Sequence, residues 1–275
     1  MIRKKNGMEI TVVTDLQDEP GFTAEFGLSL LLRTASGKYL FDTGAGTALE
    51  PNLRQLGLST GSVRQLILSH GHYDHTGGLA SLQPEMIRCC PGITEGHYSL
   101  HDDRTVHDIS MPEKSVTVLK NTAVEWIKEF KEFALDLWLT GPIPRHSGED
   151  CGGRFFHDQN CTIPDDVPEE QAMLTADGIL ITGCCHAGIV NTIGHCRKHH
   201  PEIAVRAIVG GLHLRNASDE RMEQTAACFR ENGIAELYLL HCTGNQAVEY
   251  LRQALPDCRI IQPRPGRTFS PLKTS

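Results

Sequence analysis

The sequence predicts a layered α/β fold, in which two sheets pack together with helices outside them. Its 275 residues, 40% hydrophobic and 22% charged, are typical of a globular chain with a sizeable core. Short apolar runs end in polar turns and alternate with helical patterns. Each half of the chain opens with a hairpin pattern and continues with strand–helix units, which indicates a repeated architecture. We expect one domain over residues 1–275.

In the first half we predict strands at residues 27–33, 38–41 and 65–69 and a helix at residues 47–56. A turn at residues 36–38 joins the first two strands into a hairpin. Gly57 ends the helix pattern. The last strand leads directly into a cluster of histidines.

The middle of the chain, residues 92–167, has a weaker pattern. Residues 115–120 alternate like a strand. Residues 124–139 are apolar with mixed spacing and support no firm assignment. Residues 151–166 are expected to form a loop or insertion.

The second half returns to regular patterns. We predict a hairpin from residues 172–175 and 179–182, strands at 205–209, 236–240 and 259–261, and helices at 188–198, 218–231 and 246–254. Ser218 is a suitable N-cap, since Asp219 and Glu220 follow it in the first turn.

Charge and hydropathy restrict the partners. The chain has 26 basic and 34 acidic residues, hence a net charge of −8, which disfavours nucleic acid and anionic lipid. Its longest apolar runs fall far short of the roughly 20 residues of a membrane helix. The basic segment 1–6 lacks the apolar stretch of a signal peptide. We therefore expect a cytoplasmic protein with a small-molecule substrate, and leave its oligomeric state open.

Ten cysteines include the adjacent pairs Cys89–Cys90 and Cys184–Cys185 but no CxxC spacing. In a reducing compartment, we expect most of them to be free, buried thiols.

The segment from Ser69 to Gly78 carries the sharpest chemical pattern in the chain. Three histidines and one aspartate fall within six residues, namely His70, His72, Asp74 and His75. Imidazole and carboxylate groups bind Zn, Fe and Mn. The spacing suggests one metal for the pair His70 and His72 and a second for the pair Asp74 and His75. The backbone freedom of Gly71, Gly77 and Gly78 suits a tight metal-binding loop.

Three further histidines, His186, His213 and His241, also follow predicted strands. We expect His186 and His241 to be metal ligands, and His213 to be a ligand, a substrate contact or a proton donor. Asp42 also closes a strand, where it either orients a ligating imidazole or caps a turn.

The remaining histidines are less organised. We expect solvated side chains for His195, His199 and His200, and leave open whether one of His97, His101, His107, His146 and His157 is a ligand.

The order Asp42-Thr43-Gly44, His70-x-His72-x-Asp74-His75, His186 and His241 resembles the metallo-β-lactamase-fold superfamily along nearly the whole chain. This resemblance implies a four-layer αββα sandwich with metals at the strand ends. It implies that His70 and His72 hold the first metal, and that Asp74 and His75 hold the second with His241.

Segments 183–191, 210–214 and 241–244 resemble a narrower subgroup of 7,8-dihydropterin-6-methyl-4-(β-D-ribofuranosyl)aminobenzene-5′-phosphate synthase-like proteins. The chain departs from the wider pattern at two places. It has no PGHT segment, and residues 140–145 occupy the place of that segment. Gly183-Cys184 stands where a Gly-Asp pair would supply a bridging carboxylate. We therefore expect His186 to serve the first metal. Cys184 is a candidate for a thiolate ligand, a substrate contact or a supporting residue.

These observations predict metal-assisted hydrolysis of a small ester or phosphoester at a site with one or two divalent ions, with Zn favoured over Fe or Mn. Asp74 would orient or deprotonate the water, and His213 would stabilise charge or protonate the leaving group. A competing hypothesis is pterin chemistry on an anionic phosphorylated substrate, with counter-charges from Arg145, Arg215 and Lys120. The pattern is also compatible with a di-iron redox protein, a nuclease or a non-catalytic metal-binding protein.

Overall fold

A computed structural model describes residues 7–150 and 152–273. The expectations for the basic segment 1–6 and for Cys151 lie outside these ranges. The strands of the first half are β1 (Glu9–Thr14), β2 (Ser29–Thr34), β3 (Gly37–Phe41), β4 (Gln65–Ile67), β5 (Met86–Cys89), β6 (Tyr98–Leu100), β7 (Val106–Asp108) and β8 (Ala123–Trp126). Those that follow are β9 (Lys131–Ala134), β10 (Leu137–Leu139), β11 (Phe155–Phe156), β12 (Met173–Thr175), β13 (Ile179–Thr182), β14 (Ala207–Gly210), β15 (Glu236–Leu239), β16 (Arg259–Ile261) and β17 (Thr268–Phe269).

Helices connect and flank these strands. They are α1 (Leu49–Gln55), α2 (Tyr73–Thr76), α3 (Glu113–Lys120), α4 (Ile189–His199), α5 (Asp219–Asn232) and α6 (Asn245–Ala254). Ser218 caps α5 as predicted, because its side chain accepts a hydrogen bond from the backbone N–H of Arg221 at 3.2 Å.

Two seven-stranded sheets contain most of the strands. Their orders are β17-β1-β2-β3-β4-β5-β8 and β16-β15-β14-β13-β12-β10-β9. In both sheets, antiparallel hairpins lead into four parallel strands, β3-β4-β5-β8 in one and β13-β14-β15-β16 in the other. The repeated architecture that the sequence indicated is therefore present in the topology.

The inner strands are apolar on both faces, which explains why each sheet packs against the other sheet on one face and against helices on the other. Along β13, Ile179 and Ile181 point into the core between the sheets, whereas Leu180 packs under the helices. In β3, Phe41 likewise points into the core between the sheets, and Leu40 packs under the helices of the first sheet. Because successive side chains of a strand face opposite sides, such runs need a layer on each face. The result is the predicted αββα sandwich.

Each sheet has its own helical layer. Leu49 and Leu53 of α1 and Leu119 of α3 pack on the first sheet. Helices α4, α5 and α6 cover the second sheet through side chains such as Ile193 and Leu251. The carboxyl ends of the parallel strands are therefore left free to carry functional loops.

The strand prediction for residues 115–120 is wrong, since these residues form most of α3. Pro112 precedes the helix, Glu113 lies in its first turn and Lys120 in its last. Ser115 and Leu119, four residues apart, are buried on one face. That i,i+4 burial against the first sheet outweighs the strand preference of the intervening β-branched residues.

The ambiguous middle of the chain contains short strands. Residues 124–139 contain most of β8 and all of β9 and β10. Strand β8 forms an edge of the first sheet, whereas β10 and the edge strand β9 extend the second sheet. Strands β6, β7 and β11 form a separate three-stranded sheet. The predicted loop at 151–166 is mainly irregular but contains β11. None of the helices in the described ranges is long and apolar enough to cross a membrane.

Candidate metal centre

The predicted site residues meet at the carboxyl ends of the parallel strands. The loop after β4 carries His70, and the loops after β13, β14 and β15 carry His186, His213 and His241. Asp42 directly follows β3. Strand ends of two facing sheets thus bring together side chains that are up to 199 positions apart, from Asp42 to His241.

One donor group consists of three imidazoles. His70, His72 and His186 offer ligand atoms that all lie within 4.8 Å of one another, and all three residues are buried. Among the described residues, the Nε2 atoms of His70 and His72 have no hydrogen-bond partner. Burial and the neighbouring imidazoles hold the pKa of both His70 and His72 well below its usual value, so their rings are neutral. Neutral imidazoles with unused Nε2 atoms are suited to binding a metal ion.

A second donor group lies beside the first. Asp74, His75, Cys184 and His241 are buried and offer ligand atoms within 4.8 Å of one another. His75 Nε2 is 3.1 Å from Cys184 Sγ and 3.2 Å from His241 Nε2. Asp74 Oδ2 is 3.1 Å from His241 Nε2 and 3.7 Å from His75 Nε2.

The electrostatics of the second group favour a cation. Burial alone would lower the pKa of His75, yet the carboxylates of Asp74 and Asp42 raise it to about 9. The negative charge of these two buried side chains therefore stabilises positive charge at this position. A divalent ion satisfies the same requirement. The residues of both groups thus fit the metal that the fold implies.

Asp42 contacts one imidazole directly and a second one through Ser69. Its Oδ2 is 2.7 Å from His75 Nδ1 and accepts a hydrogen bond at 2.7 Å from Ser69 Oγ. Ser69 Oγ is also 2.9 Å from His70 Nδ1. Because the Nδ1 positions of His70 and His75 face these oxygens, the Nε2 atoms are directed into the donor groups. This contact pattern supports the orienting role over the turn-capping role for Asp42.

A buried carboxylate and a guanidinium hold the loop that carries His186. The carboxylate of Glu170 accepts hydrogen bonds from the backbone N–H groups of His186 and Ala187, at 2.8 and 2.7 Å. Arg145 donates to the carbonyl oxygens of Asp166 and His186, both at 2.5 Å. Burial raises the pKa of Glu170 to about 7, although the two amide donors and Arg145 oppose that rise. Arg145, expected to meet substrate, is therefore committed to the backbone of this loop.

Several site residues adopt left-handed backbone conformations. Asp42, Cys185, His213 and His241 have φ values of 57°, 62°, 47° and 52°. Such values are uncommon for residues other than glycine and cluster at functional sites. The backbone N–H of His241 donates to Asp15 Oδ1 at 2.8 Å, which helps to fix its position. Sequence reasoning missed Asp15, although it follows an apolar run that would have marked β1.

The glycines of the histidine loop have a different role from the one predicted. None of Gly71, Gly77 and Gly78 is among the described residues with positive φ. Instead, a Cβ atom on Gly77 would overlap the carbonyl oxygen of Ala45, and one on Gly78 would overlap that of Thr43. A Cβ atom on Gly71 would meet Ile93 O at 2.5 Å. Close backbone approach, and not conformational freedom, explains these glycines.

A cleft of about 650 Å³ opens over the donor groups, and its walls include Asp74, Cys184, His213 and His241. His213 is half-buried, and its ring lies 4.5 Å from that of His186. The short three-stranded sheet contributes Phe155, whose ring is 5.2 Å from that of His186. Arg215, which also lines the cleft, lies over the ring of Phe26 at 5.3 Å. The cleft therefore offers aromatic surfaces and a cation next to the donor groups.

Of the five histidines left open in the middle of the chain, His97 is the one buried beside the site. Its ring is 5.1 Å from that of His72, and its Nδ1 is 2.6 Å from Asp165 Oδ2. His101, His107 and His146 are exposed. The expectation of solvation holds for His199 but not for His195 and His200, which are half-buried. His195 Nε2 lies 3.2 Å from Thr140 O, and the His200 ring lies 4.6 Å from that of Trp138. No motif connects His97 with the strand ends, so only the fold reveals its place.

Comparisons with known proteins agree with this geometry. The family model of the metallo-beta-lactamase superfamily matches residues 22–155. An uncharacterized protein of Methanocaldococcus jannaschii is 28% identical over 249 residues, covering 89% of this chain and 94% of its own. The 7,8-dihydropterin-6-methyl-4-(beta-D-ribofuranosyl)-aminobenzene-5'-phosphate synthase of the same organism is 28% identical over 271 residues, covering 86% of this chain and 89% of its own.

Among solved structures, a metal-dependent hydrolase of the beta-lactamase superfamily superposes with a TM-score of 0.82 at 28% identity, covering 95% of this chain and 98% of that one. A metallo-beta-lactamase fold protein from Bacillus subtilis, 14% identical with a TM-score of 0.54, shares the fold. The chain therefore has the metallo-beta-lactamase fold, and its histidine–aspartate loop and these matches make it similar to members of the metallo-beta-lactamase superfamily.

Proposed function

We propose that the protein is a metal-dependent hydrolase acting on a small ester or phosphoester. The observation that carries this proposal is the convergence of two buried donor groups at the base of one open cleft. A divalent ion, with Zn favoured over Fe or Mn, is held by His70, His72 and His186. A second is held by Asp74, His75 and His241. When bound, such ions supply Lewis-acid activation of water and of the scissile group.

The chain's own residues supply the proton transfers. Asp74 lines the cleft and has Oδ2 3.1 Å from His241 Nε2, so its carboxylate can orient the attacking water and accept a proton from it. His213 lines the same cleft, and its buried Nδ1 has no hydrogen-bond partner among the described residues. It is placed to protonate a leaving group or to stabilise developing negative charge.

The lining of the cleft supports an anionic substrate with a planar group. Arg215 and Arg154 both line it, and Arg154 is paired with the exposed Asp102 at 3.0 Å. Phe26 and Phe155 present aromatic surfaces beside the donor groups. Guanidinium groups bind phosphate and carboxylate groups well, and aromatic faces stack on planar rings.

A second candidate is a dihydropterin synthase-like reaction on a ribosyl phosphate. Similarity to the synthase of Methanocaldococcus jannaschii along most of both chains favours it, and so does the aromatic and cationic lining of the cleft. This candidate is a synthase-like reaction, whereas the first is the hydrolysis of an ester or phosphoester. Both require an anionic substrate.

Metal removal tests the proposal. Chelator-treated protein and protein reloaded with Zn, Fe or Mn are compared on an aryl acetate, an aryl phosphomonoester, an aryl phosphodiester, and a dihydropterin with a ribosyl-phosphate donor. We expect turnover of one ester class only in the reloaded protein. Full hydrolytic activity after metal removal would contradict the proposal. Turnover of the pterin pair alone would favour the synthase-like reaction, and retained metal without turnover would favour a non-catalytic metal-binding protein.

A further inference from the structure

We propose that a basic cavity at the edges of the two sheets binds a nucleoside polyphosphate, apart from the metal centre. The cavity has a volume of about 780 Å³ and is larger than the cleft over the donor groups. Among the described residues, none lines both spaces. A cavity of this size suits a small organic ligand. The inference goes beyond the proposed hydrolysis and does not depend on it.

The cavity is built where the chain passes from one sheet to the other. Strand β16 is an edge of the second sheet, and β17 is an edge of the first. The connection between them, residues 262–267, is fixed on β1. Gly266 N–H donates to Val12 O at 2.8 Å, and Val12 N–H donates to Arg267 O at 3.0 Å. The backbone that carries the basic residues of this connection is therefore in place before a ligand arrives, which lowers the cost of binding.

Positive charge is concentrated at this cavity, although the whole chain is acidic. Between positions 259 and 273 the sequence contains four basic residues and no acidic residue, whereas the net charge of the chain is −8. All four basic residues line the cavity, namely Arg259, Arg264, Arg267 and Lys273. The cavity therefore attracts anions more strongly than the chain as a whole.

The protein's own carboxylates leave much of this charge available. Arg259 lies 3.7 Å from Glu236, and Arg264 lies 3.7 Å from Glu19, so neither pair is at direct hydrogen-bond distance. Arg264 also donates to the carbonyl oxygen of Asp18 at 3.0 Å, which uses one of its five N–H donors. No ion pair within the described ranges involves the other two cations. Guanidinium and ammonium groups in this setting are suited to binding phosphate oxygens.

The cavity also has an aromatic and apolar wall. The rings of Tyr238 and Phe269 are stacked, with centroids 4.2 Å apart and an interplanar angle of 7°. Tyr238 is buried and donates its hydroxyl hydrogen to Glu236 Oε2 at 2.8 Å, whereas Phe269 is half-buried. Ile261 and Pro263 extend the apolar lining. Such a wall is suited to packing against a planar heterocycle.

These two features together define the class of ligand. Four cations match several linked phosphate groups, and the apolar wall matches an aromatic ring. A nucleoside polyphosphate carries both parts in one molecule of suitable size. An extended nucleic acid would also meet the remainder of an acidic protein, which repels a long polyanion. Binding is non-covalent, so no bond is formed or broken.

Isothermal titration calorimetry of the full chain with adenosine triphosphate, inorganic triphosphate and a uridine oligoribonucleotide tests the proposal. We expect adenosine triphosphate to bind more tightly than inorganic triphosphate, because only the nucleotide has a ring. In Arg267→Gln/Lys273→Gln, its affinity should fall about tenfold or more, since two charged phosphate contacts are removed. The matched variant Arg54→Gln/Arg252→Gln, at exposed positions outside the cavity, should bind like the wild type.

Arg215→Gln separates the basic cavity from the metal centre, because Arg215 lines the cleft. It should leave the affinity for adenosine triphosphate unchanged. Any metal-dependent turnover should in turn be unchanged in Arg267→Gln/Lys273→Gln. Both altered positions of that variant are exposed, and urea unfolding of every variant separates loss of binding from loss of fold.

Several results would overturn the proposal. Unchanged affinity in Arg267→Gln/Lys273→Gln, or a loss in Arg215→Gln instead, would show that the nucleotide binds at the cleft. Equal affinities for adenosine triphosphate and inorganic triphosphate would overturn the nucleoside assignment. Tighter binding of the oligoribonucleotide would identify a nucleic-acid surface. Absence of nucleotide binding would overturn the proposal and leave the proposed hydrolase function intact.

Discussion

The carboxylate of Asp42 lies 2.7 Å from Nδ1 of His75, and neither side chain is exposed to solvent. The same oxygen reaches His70 through Ser69 Oγ. One residue at the end of β3 therefore contacts an imidazole in each donor group, directly for His75 and through Ser69 for His70. This arrangement links the β2–β3 hairpin to both donor groups.

Replacing Asp42 should weaken metal binding without removing a ligand. In Asp42→Asn the charge is lost, and one amide group cannot accept all three hydrogen bonds that reach this carboxylate from Ser69 and His75. We expect metal affinity to fall about 10–100-fold, as is usual when an orienting partner is altered. Competition with a chelator of known affinity measures it. Asp257→Asn, at an exposed position, is the control, and equal affinities for the two variants would contradict the orienting role.

Two glycines with different surroundings, Gly78 in the histidine loop and Gly194 in α4, should respond to alanine with opposite changes in the free energy of unfolding. In Gly78→Ala the new methyl group overlaps Thr43 O and meets Leu49 Cδ2 at 2.7 Å, so we expect a loss of about 1–3 kcal/mol in the free energy of unfolding. Gly194 lies within α4, where a Cβ atom would contact nothing within 4 Å. Gly194→Ala should therefore gain about 0.5–1 kcal/mol.

Urea unfolding of the three proteins checks both signs in one experiment. A Gly78→Ala variant as stable as the wild type would show that the loop tolerates a side chain. That result would contradict the explanation that the backbone of Thr43 lies too close to Gly78 for a side chain.

Glu170 should matter for stability and for metal binding together. Glu170→Gln keeps one acceptor oxygen for the two N–H groups of His186 and Ala187 and introduces an amide donor into a buried site. We expect a loss of about 1.5–3 kcal/mol, the range for hydrogen bonds to charged groups. Glu231→Gln, on the exposed end of α5, should change the free energy of unfolding by less than about 0.5 kcal/mol. Similar unfolding curves for the two variants would argue against the role of Glu170.

Local patterns predicted the four parallel strands of the second sheet, two of the four in the first sheet (β3 and β4), and the residues that follow them. Runs such as Ile179–Thr182 are apolar on both faces, and each ends where a histidine or cysteine follows. Because parallel strands end at one edge, a linear pattern could predict a spatial cluster containing His186 and His241. The same reasoning left Asp42 open between orienting an imidazole and capping a turn, and the structure places its carboxylate beside His75.

The remaining parts depend on contacts that no local pattern encodes. Helix α3 forms where β-branched residues favoured a strand, since Ser115 and Leu119 bury one face. Glu170, Asp15 and His97 lie in segments without a motif, and their importance comes from backbone amides and a ring brought near them by the fold. Short edge strands such as β11 carry too few residues to show a period.

Metal content per chain, measured on protein purified without added metal, tests the central claim most directly. We predict two ions for the wild type and for His199→Ala, which alters an exposed histidine, and one or none for His186→Ala. Unfolding of each variant is recorded alongside, so that loss of metal is separated from loss of fold. A wild-type protein without metal, or a His186→Ala protein with unchanged content, would contradict the metal centre described above.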